Sequence, residues 1–285
     1  MDTSRISPTA HYTGTVWHAN GLSTDALATD QGRRLHTLLR PFNDLYTALT
    51  GGPNLNEMLI QRHLILDHIL TRAIASGQVS QVIEIAAGLS PRGWRFKRRF
   101  RSSLLYVEGD LPDMAALKRA TLEEAGLMRG GHHVVTLNAL HDDGPQSVAG
   151  VAGRLLDPSK GTAVITEGLI NYFPQDAVDG IWRRIAAMLR ATEAGGVYLS
   201  DMSLNSDVNR SLVAHAFRVA LSAFARGSVH TPLETAEDAR RAVLAAGFTE
   251  AALMTPAQMA SEVPIPAPMG ATRVRLLRAE VALPR

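Results

Sequence analysis

The chain has 285 residues, of which 46% are hydrophobic and 20% charged, and its formal net charge at pH 7 is only +2. This content suffices for one large domain, or for a core with an appended cap, and the small basic excess does not predict a nucleic-acid-binding surface. The absence of cysteine excludes disulfides, thiolate metal sites and a cysteine nucleophile.

The N-terminal region carries no sign of a targeting segment. Its first residues, MDTSRISPTAHYTG, contain no apolar stretch of the kind found in signal peptides. The longest apolar stretch, MLIQRHLILDHIL at 58–70, is interrupted by charged and histidine residues, so it does not predict a membrane span. The expectation is a soluble cytoplasmic protein.

Residues 1–78 predict a helical cap or lid. Residues 1–50 show helix and loop signals only, GGPN at 51–54 is a break, and 55–77 has apolar residues at helical spacing up to Gly77. Two aromatic residues, Tyr12 and Trp17, lie close together with His11 and His18, which favours a substrate-facing lid. The alternative is that these aromatics only fix an N-terminal helix to the core.

Residues 79–285 predict an α/β core domain. Five strand-like runs (81–86, 103–109, 132–137, 162–168 and 196–202) alternate with four helix-like runs (91–100, 111–126, 145–156 and 174–196). This alternation is typical of βαβ units and a parallel sheet. Helical segments around 207–225 and 234–246 follow, the first of them inside an insertion at about 205–228.

The last two strand-like runs, 248–255 and 272–283, have no long helix between them, which favours an antiparallel addition at the sheet edge. The predicted fold is therefore a Rossmann-like, seven-stranded, mostly parallel sheet. Its last strand is antiparallel and helices cover both faces.

The turn after the first strand, in EIAAGLSPRG at 84–93, contains small residues that let a ligand approach the backbone closely. Gly88 can adopt a positive φ there. A dinucleotide site requires G-x-G-x-x-G, and only Gly88 and Gly93 are present, at the wrong spacing. An S-adenosylmethionine site has no phosphate to bind, so it is compatible with a turn of small residues that follows an acidic residue.

Three of the strand-like runs have an acidic residue at or next to their carboxyl end: Glu84, Asp110 and Glu167. Ligands of α/β sheets bind beyond these carboxyl ends, and Asp110 follows Gly88 at about the 20-residue interval of a ribose-binding acid. The alternative role for Asp110 is to cap the next helix. Acids suit a cationic sulfonium, whereas they would repel a pyrophosphate.

Four blocks of the sequence carry a family resemblance: LIQRHLILDHIL, VIEIAAGLSPRGWRF, YVEGDLPDMAALKRATL and ITEGLINYFPQDAVDGIW. Together they resemble the leucine carboxyl methyltransferase-like family of class I methyltransferases, which includes polyketide O-methyltransferases of the tetracenomycin type. The blocks span about residues 55–190.

The resemblance implies a cofactor site for S-adenosyl-L-methionine made of Arg62, Glu84, Ala86, Gly88, Asp110, Ala139, Leu140 and Glu167. In it, an Arg on the helix before the first strand binds the methionine carboxylate, and the acid after the second strand binds the ribose. Ala139 and Leu140 flank the adenine, with Asn138 as an alternative contact. Glu167 faces the amino-acid end, and Tyr172 looks toward the substrate.

Alternatives and departures accompany this assignment. Arg62 read without the resemblance is a surface arginine on an amphipathic helix. Ala86 replaces the family's first glycine, and Ser90-Pro91-Arg92 replaces its D-T-R. Arg92 is then either a second carboxylate contact or a solvated side chain. The basic residues Arg95, Lys97, Arg98 and Arg99 are expected on a solvated helix side.

The predicted function is S-adenosylmethionine-dependent O-methylation of a hydroxyl or carboxyl group of a small molecule, with a secondary metabolite favoured. A carboxylate acceptor needs no general base, whereas a hydroxyl acceptor benefits from one, with His11, His18, His141 and His215 as candidates. The alternatives are a catalytically silent binding protein and, less favoured, an NAD-dependent oxidoreductase. The sequence predicts no metal, nucleic-acid or membrane partner, and a homodimer is compatible with it.

Overall fold

A computed structural model describes residues 8–50, 54–207, 230–231, 233–266 and 274–282. Most of the predicted insertion, including His215, lies outside these residues. Three helices come first in the described chain: α1 (Pro8–Ala19), α2 (Asp30–Thr50) and α3 (Leu55–Ala75). A capping box starts α3, because Asn54 accepts from the Glu57 amide and the Glu57 side chain accepts from the Asn54 amide.

The seven-stranded sheet is confirmed. Its strands are β1 (Gln81–Ile85), β2 (Leu105–Asp110), β3 (His132–Thr136), β4 (Thr162–Thr166), β5 (Gly196–Met202), β6 (Glu250–Met254) and β7 (Arg275–Val281). The spatial order is β3-β2-β1-β4-β5-β7-β6. The pairs among β1 to β5 are parallel, and β7 runs antiparallel to both β5 and β6.

The remaining described helices are α4 (Arg92–Phe100), α5 (Pro112–Glu124), α6 (Val148–Leu155), α7 (Gln175–Arg190), α8 (Ala236–Ala245) and α9 (Pro256–Met259). The helix-like runs of the sequence therefore became α4 to α8, with ends that differ by a few residues.

Strand alternation places a hydrophobic core on each side of the sheet. In β1, Val82 packs on one face with α3 residues such as Leu66, while Ile83 packs on the other face in the core that contains Trp182 of α7. Each such side chain stabilises the fold by about 1.5–3 kcal/mol through burial. Helices thus cover both faces, as predicted.

The N-terminal helices are connected to the sheet through α3. Tyr12, Val16 and Trp17 of α1 pack on Leu59 and Ile60 near the start of α3, whose later residues belong to the sheet-facing core. The domain boundary at residue 78 stays a prediction. Among the described residues, no helix is both long and apolar enough to cross a membrane.

Candidate functional site

The turn after β1 approaches the end of β2 closely. Gly88 has φ +48°, as its position predicted, and its amide donates to Asp110 Oδ2 over 2.7 Å. The Leu111 amide donates to the other carboxylate oxygen at 2.8 Å. Burial raises the pKa of Asp110 above its usual value, because it outweighs the effect of these two amides. Asp110 therefore holds the turn and also lies next to the start of α5.

Ala86 lies in the same turn with φ +54°, a conformation that side chains bearing a Cβ rarely adopt. This is the position where the family pattern has its first glycine. Ala86 thus adopts a backbone conformation that glycine favours.

Arg92, the first residue of α4, is fully buried, so of its two predicted alternatives the solvated side chain is wrong. Its guanidinium donates to Asp67 at 2.6 Å, to Glu84 at 2.5 Å and to Glu167 at 2.5 Å. Asp67 belongs to α3 and the other acids to β1 and the end of β4. Arg92 therefore joins three elements beneath the turn, which its basic local sequence did not indicate.

Both carboxylate oxygens of Glu84 have protein partners. Oε1 accepts from Arg92, and Oε2 accepts from the Tyr106 hydroxyl at 2.6 Å. Glu84 is also almost completely buried. Its contact with a cofactor stays a prediction, and its observed contacts fix the position of Arg92.

Arg62 of α3 lies at the carboxyl ends of β4 and β5, with 16% of its side chain exposed. Its Nε donates to Glu167 Oε1 at 3.1 Å, and Nη1 donates to Asp201 Oδ2 at 3.0 Å. The surface-arginine alternative is therefore wrong. The third nitrogen, Nη2, makes no hydrogen bond among the described residues.

Gly168 makes room for this third nitrogen. A Cβ at Gly168 would lie 2.7 Å from Arg62 Nη2, and the residue has φ +68°. A side chain here would displace the guanidinium and strain the backbone. The glycine thus lets the Arg62 guanidinium lie directly against the backbone at position 168.

Glu167 connects the two arginines to a buried histidine. Besides Arg62 and Arg92, it lies 2.9 Å from His63 Nδ1. Burial alone would raise the pKa of Glu167, but His63 and the two arginines outweigh it and hold the pKa well below the usual range. Glu167 is therefore ionised at neutral pH.

Two members of this site were missed at the sequence level. Asp201, near the end of β5, accepts from the Gly168 amide at 2.6 Å as well as from Arg62. Burial raises its pKa, although Arg62 opposes that shift. The strand-end rule that selected Glu84, Asp110 and Glu167 also applies to Asp201. His63 had no comparable signal, because helical periodicity does not distinguish a buried polar residue from a solvated one.

The predicted lid aromatics are buried between helices. The Tyr12 hydroxyl donates to Asn56 Oδ1 at 2.6 Å and accepts from Asn43 at 3.0 Å, and burial raises the pKa of Tyr12 to about 12. The Trp17 ring packs at a tilt against His63, with centroids 4.8 Å apart. These contacts match the alternative role, fixing α1 to α3. Contact with substrate stays a prediction for both residues.

The other predicted contacts line the same sheet edge. The loop after β3 begins where the Leu137 amide donates to the Asp110 carbonyl, and it continues through buried Ala139 and exposed Leu140. Asn138 Oδ1 accepts from the Leu140 amide at 3.0 Å, so it stabilises this loop. Tyr172, half-buried near Arg62, has a pKa raised by burial.

The three described histidines proposed as bases have local partners. His11 Nδ1 lies 2.8 Å from Thr29 Oγ1, and His18 lies 2.9 Å from Asp25. His141 lies 3.1 Å from Asn138. Each of these contacts involves one ring nitrogen.

A second buried network supports the turn from below. Glu108 lies 2.7 Å from Lys118 Nζ and 3.0 Å from His132 Nε2, and Lys118 also donates to the Ala87 carbonyl at 3.4 Å. Lys97 is buried as well, donating to the Leu104 carbonyl at 2.5 Å, so its predicted solvation is wrong. Arg98 and Arg99 are exposed as predicted.

Acidic and basic side chains meet at this edge of the sheet. Arg62, Arg92 and Arg95 face four carboxylates from α3, β1, the end of β4 and β5: Asp67, Glu84, Glu167 and Asp201. His63 lies among them, next to Asp67 and Glu167. Such a mixture suits a ligand that carries both a cationic group and a carboxylate.

Comparisons with known proteins agree with this chemistry. The family model described as leucine carboxyl methyltransferase matches residues 23–186. A Frankia alni protein, provisionally named an S-adenosyl-L-methionine-dependent methyltransferase, is 31% identical over 174 residues, covering 61% of this chain and 58% of its own length. A Mycobacterium tuberculosis protein with the same provisional name is 35% identical over 118 residues, covering 41% of this chain and 36% of its own length. The chain thus spans about half the length of these relatives.

A solved structure shares the fold across almost the whole chain. A Thermobifida fusca protein, provisionally named a methyltransferase, superposes with a TM-score of 0.63 and 14% identity, covering 99% of this chain and 97% of its own. At this identity the likeness shows the fold alone.

Proposed function

Because this chain belongs to the leucine carboxyl methyltransferase family, we propose that it transfers a methyl group from S-adenosyl-L-methionine to an oxygen atom of a small molecule. One observation carries this proposal: Arg62 lies at the carboxyl ends of β4 and β5 between Glu167 and Asp201, so basic and acidic groups meet at the edge where a cofactor would bind. This pairing suits the carboxylate and the cationic sulfur of the same cofactor.

The described residues fit S-adenosyl-L-methionine in a consistent order along the sheet edge. Arg62 Nη2 would bind its carboxylate, and the backbone at Ala86 and Gly88 would lie along it. Asp110 would accept from the ribose hydroxyls with the lone pairs that its two amide contacts leave. Ala139 and Leu140, next to the end of β2, would flank the adenine.

Glu167 would act at the amino-acid end in two ways. Its ionised carboxylate holds Arg62 in place, and it adds negative charge near the position of the sulfonium. Bound S-adenosyl-L-methionine supplies a methyl group on a good leaving group. The protein then has to hold the acceptor oxygen, methyl carbon and sulfur in line, so positioning is its main contribution.

The acceptor is proposed to be a hydroxyl or carboxyl group of a secondary metabolite. The resemblance to polyketide O-methyltransferases supports this class.

Two alternatives differ in what they bind and convert. A catalytically silent protein would bind the cofactor and transfer nothing. An oxidoreductase would bind NAD(H), which the acidic edge and the lack of G-x-G-x-x-G both disfavour. Calorimetry with S-adenosylhomocysteine and with NAD(H), followed by methyl transfer from labelled S-adenosyl-L-methionine to a metabolite panel, separates the three. Failure to bind S-adenosylhomocysteine would reject the proposal.

The role of Arg62 can be tested with a ligand pair. Arg62→Gln should weaken S-adenosylhomocysteine binding about tenfold or more, the scale of a charged hydrogen bond. It should leave 5′-methylthioadenosine binding unchanged, because that ligand lacks the amino-acid portion. Arg72→Gln, at an exposed position of the same helix, is the matched control. Equal losses for both ligands would indicate a general structural effect and contradict the assignment.

A further inference from the structure

A buried lysine, Lys118 of α5, contacts the turn that follows β1. Its side chain is 1% exposed, and its Nζ lies 2.7 Å from Glu108 Oε1. The same Nζ donates to the Ala87 carbonyl oxygen at 3.4 Å. Desolvation of a buried ion pair offsets much of the attraction between its charges, so the pair alone is weak evidence for a stabilising role. The contact with the turn indicates instead a role in shaping the backbone there.

The partner of Lys118 is itself held in place. His132 Nε2 of β3 lies 3.0 Å from Glu108 Oε2, so both carboxylate oxygens of Glu108 have partners. Burial would raise the pKa of Glu108, but Lys118 and His132 outweigh it and hold the pKa below the usual value. Gly93 leaves room for this arrangement, because a Cβ there would lie 2.6 Å from the Glu108 carboxylate. The ammonium of Lys118 therefore has a fixed position beneath the turn.

A single peptide group connects Lys118 to Asp110. The carbonyl of Ala87 accepts from Lys118, and the N–H of Gly88, which belongs to the same peptide group, donates to Asp110 Oδ2 at 2.7 Å. A peptide group is planar, so a contact that orients its carbonyl also orients its N–H. Hydrogen bonds in such a chain also strengthen one another by polarisation. Lys118 thus acts on the position of Asp110 through the 87–88 peptide.

The charge of Lys118 acts on Asp110 in the same sense. Burial raises the pKa of Asp110, and the amides of Gly88 and Leu111 and the charge of Lys118 oppose this rise, whereas Glu108 adds to it. An ionised carboxylate accepts hydrogen bonds at both oxygens, whereas a protonated one loses part of this capacity. Lys118 therefore favours the form of Asp110 that can accept from two hydroxyls.

We propose that Lys118 is a positioning residue for ribose recognition. It orients the 87–88 peptide, whose N–H holds the Asp110 carboxylate where this carboxylate accepts from the ribose hydroxyls of the cofactor. The inference rests on the proposed function and deepens it, because it assigns a part in cofactor selection to a residue that does not touch the cofactor. Without Lys118, the Ala87 carbonyl loses this contact and Asp110 loses its fixed orientation.

A pair of nucleosides tests this role through the hydroxyls alone. Adenosine and 2′,3′-dideoxyadenosine differ only in the two ribose hydroxyls, and calorimetry gives the affinity of each. The wild-type protein should prefer adenosine about tenfold or more, the scale of hydrogen bonds to a charged group. Lys118→Met should reduce this preference about fivefold or more, which corresponds to the loss of roughly one such hydrogen bond. The control Lys160→Met, at an exposed lysine, should keep the preference.

A second variant separates positioning from stability. Lys118→Met leaves a buried carboxylate without its lysine and should lower the melting temperature, whereas Lys118→Met/Glu108→Gln removes both charges and should fold more stably. Both variants lack the contact with the Ala87 carbonyl, so both should lose the preference for adenosine. An equal loss of affinity for the two nucleosides, or a preference that stays at the wild-type value, would overturn the inference.

The same titrations distinguish failure of this inference from failure of the proposed function. Wild-type protein that binds S-adenosylhomocysteine but does not prefer adenosine over 2′,3′-dideoxyadenosine would overturn the role of Lys118 and leave the proposed methyl transfer standing. Wild-type protein that does not bind S-adenosylhomocysteine would reject the proposed function and this inference with it.

Discussion

Replacing Arg92 by glutamine should destabilise the protein strongly. The guanidinium is fully buried and contacts Asp67, Glu84 and Glu167 at 2.5–2.6 Å. A glutamine amide would satisfy one of these acids at most. Removing one member of a buried ion network costs about 3–5 kcal/mol, because the remaining charges lose their compensation.

The expected loss is not the sum of three ion pairs. Asp67 keeps Arg95, and Glu167 keeps Arg62 and His63. Glu84 is the one acid of the three that loses its sole cationic partner. It keeps the hydrogen bond from the Tyr106 hydroxyl. The cost is therefore that of one uncompensated buried carboxylate plus weakened neighbours, which keeps it within the range of about 3–5 kcal/mol.

Equilibrium urea unfolding monitored by tryptophan fluorescence measures this cost. The control is Arg98→Lys, at an exposed position of the same helix, which keeps a positive charge near Trp94 and should change the unfolding free energy by less than about 0.5 kcal/mol. If Arg92→Gln unfolded like the control, the ion network would contribute little to stability and the reasoning would be refuted.

Three further results are expected. Ala86→Gly should raise the melting temperature by about 1–2 °C, because glycine relieves the positive φ at a smaller entropic cost, and a lower melting temperature would contradict this. Gly168→Ala should weaken S-adenosylhomocysteine binding about tenfold or more, because the added Cβ would displace Arg62. The control Gly126→Ala, at φ +63° with open space around it, should leave the affinity unchanged. Equal affinities of the two variants in calorimetry would contradict this role of Gly168. The stability of the protein should fall in acid. Because the pKa of Glu167 is lower in the folded state than its usual value of 4.5, the ionised carboxylate stabilises the fold above pH 4.5, and this stability is lost as the pH falls from there through the folded-state pKa. A melting temperature that stays constant from pH 7 to about pH 3 would contradict this role of Glu167.

Local sequence patterns predicted most of the fold. Alternating short apolar strands and amphipathic helices identified seven strands and the reversed last strand. They did not show that β7 lies between β5 and β6. The position of β7 depends on which edge strand is free to pair with it and on which side chains then pack together. Both are properties of the assembled sheet.

The sequence predicted those residues of the candidate site that lie at the ends of strands. Asp110 and Glu167 followed from that rule, and Gly88 from its turn. Arg92 stayed open between a carboxylate contact and a solvated side chain, because its neighbours are basic and suggest a solvated helix side. Its burial depends on acids at positions 67, 84 and 167, which only the folded chain brings together. His63 belongs to the same class of long-range contact, whereas Asp201 could have been found by the strand-end rule.

The placement of β7 also determines how the growing chain folds. β5 pairs with β7 over all seven of its residues, yet β7 is the last of the described strands to be synthesised. Until then, β5 presents an unpaired hydrogen-bonding edge and its buried side chains lack cover. The nascent protein therefore passes through a stage in which the unpaired edge of β5 can pair with other chains. A molecular chaperone would be most useful at that stage.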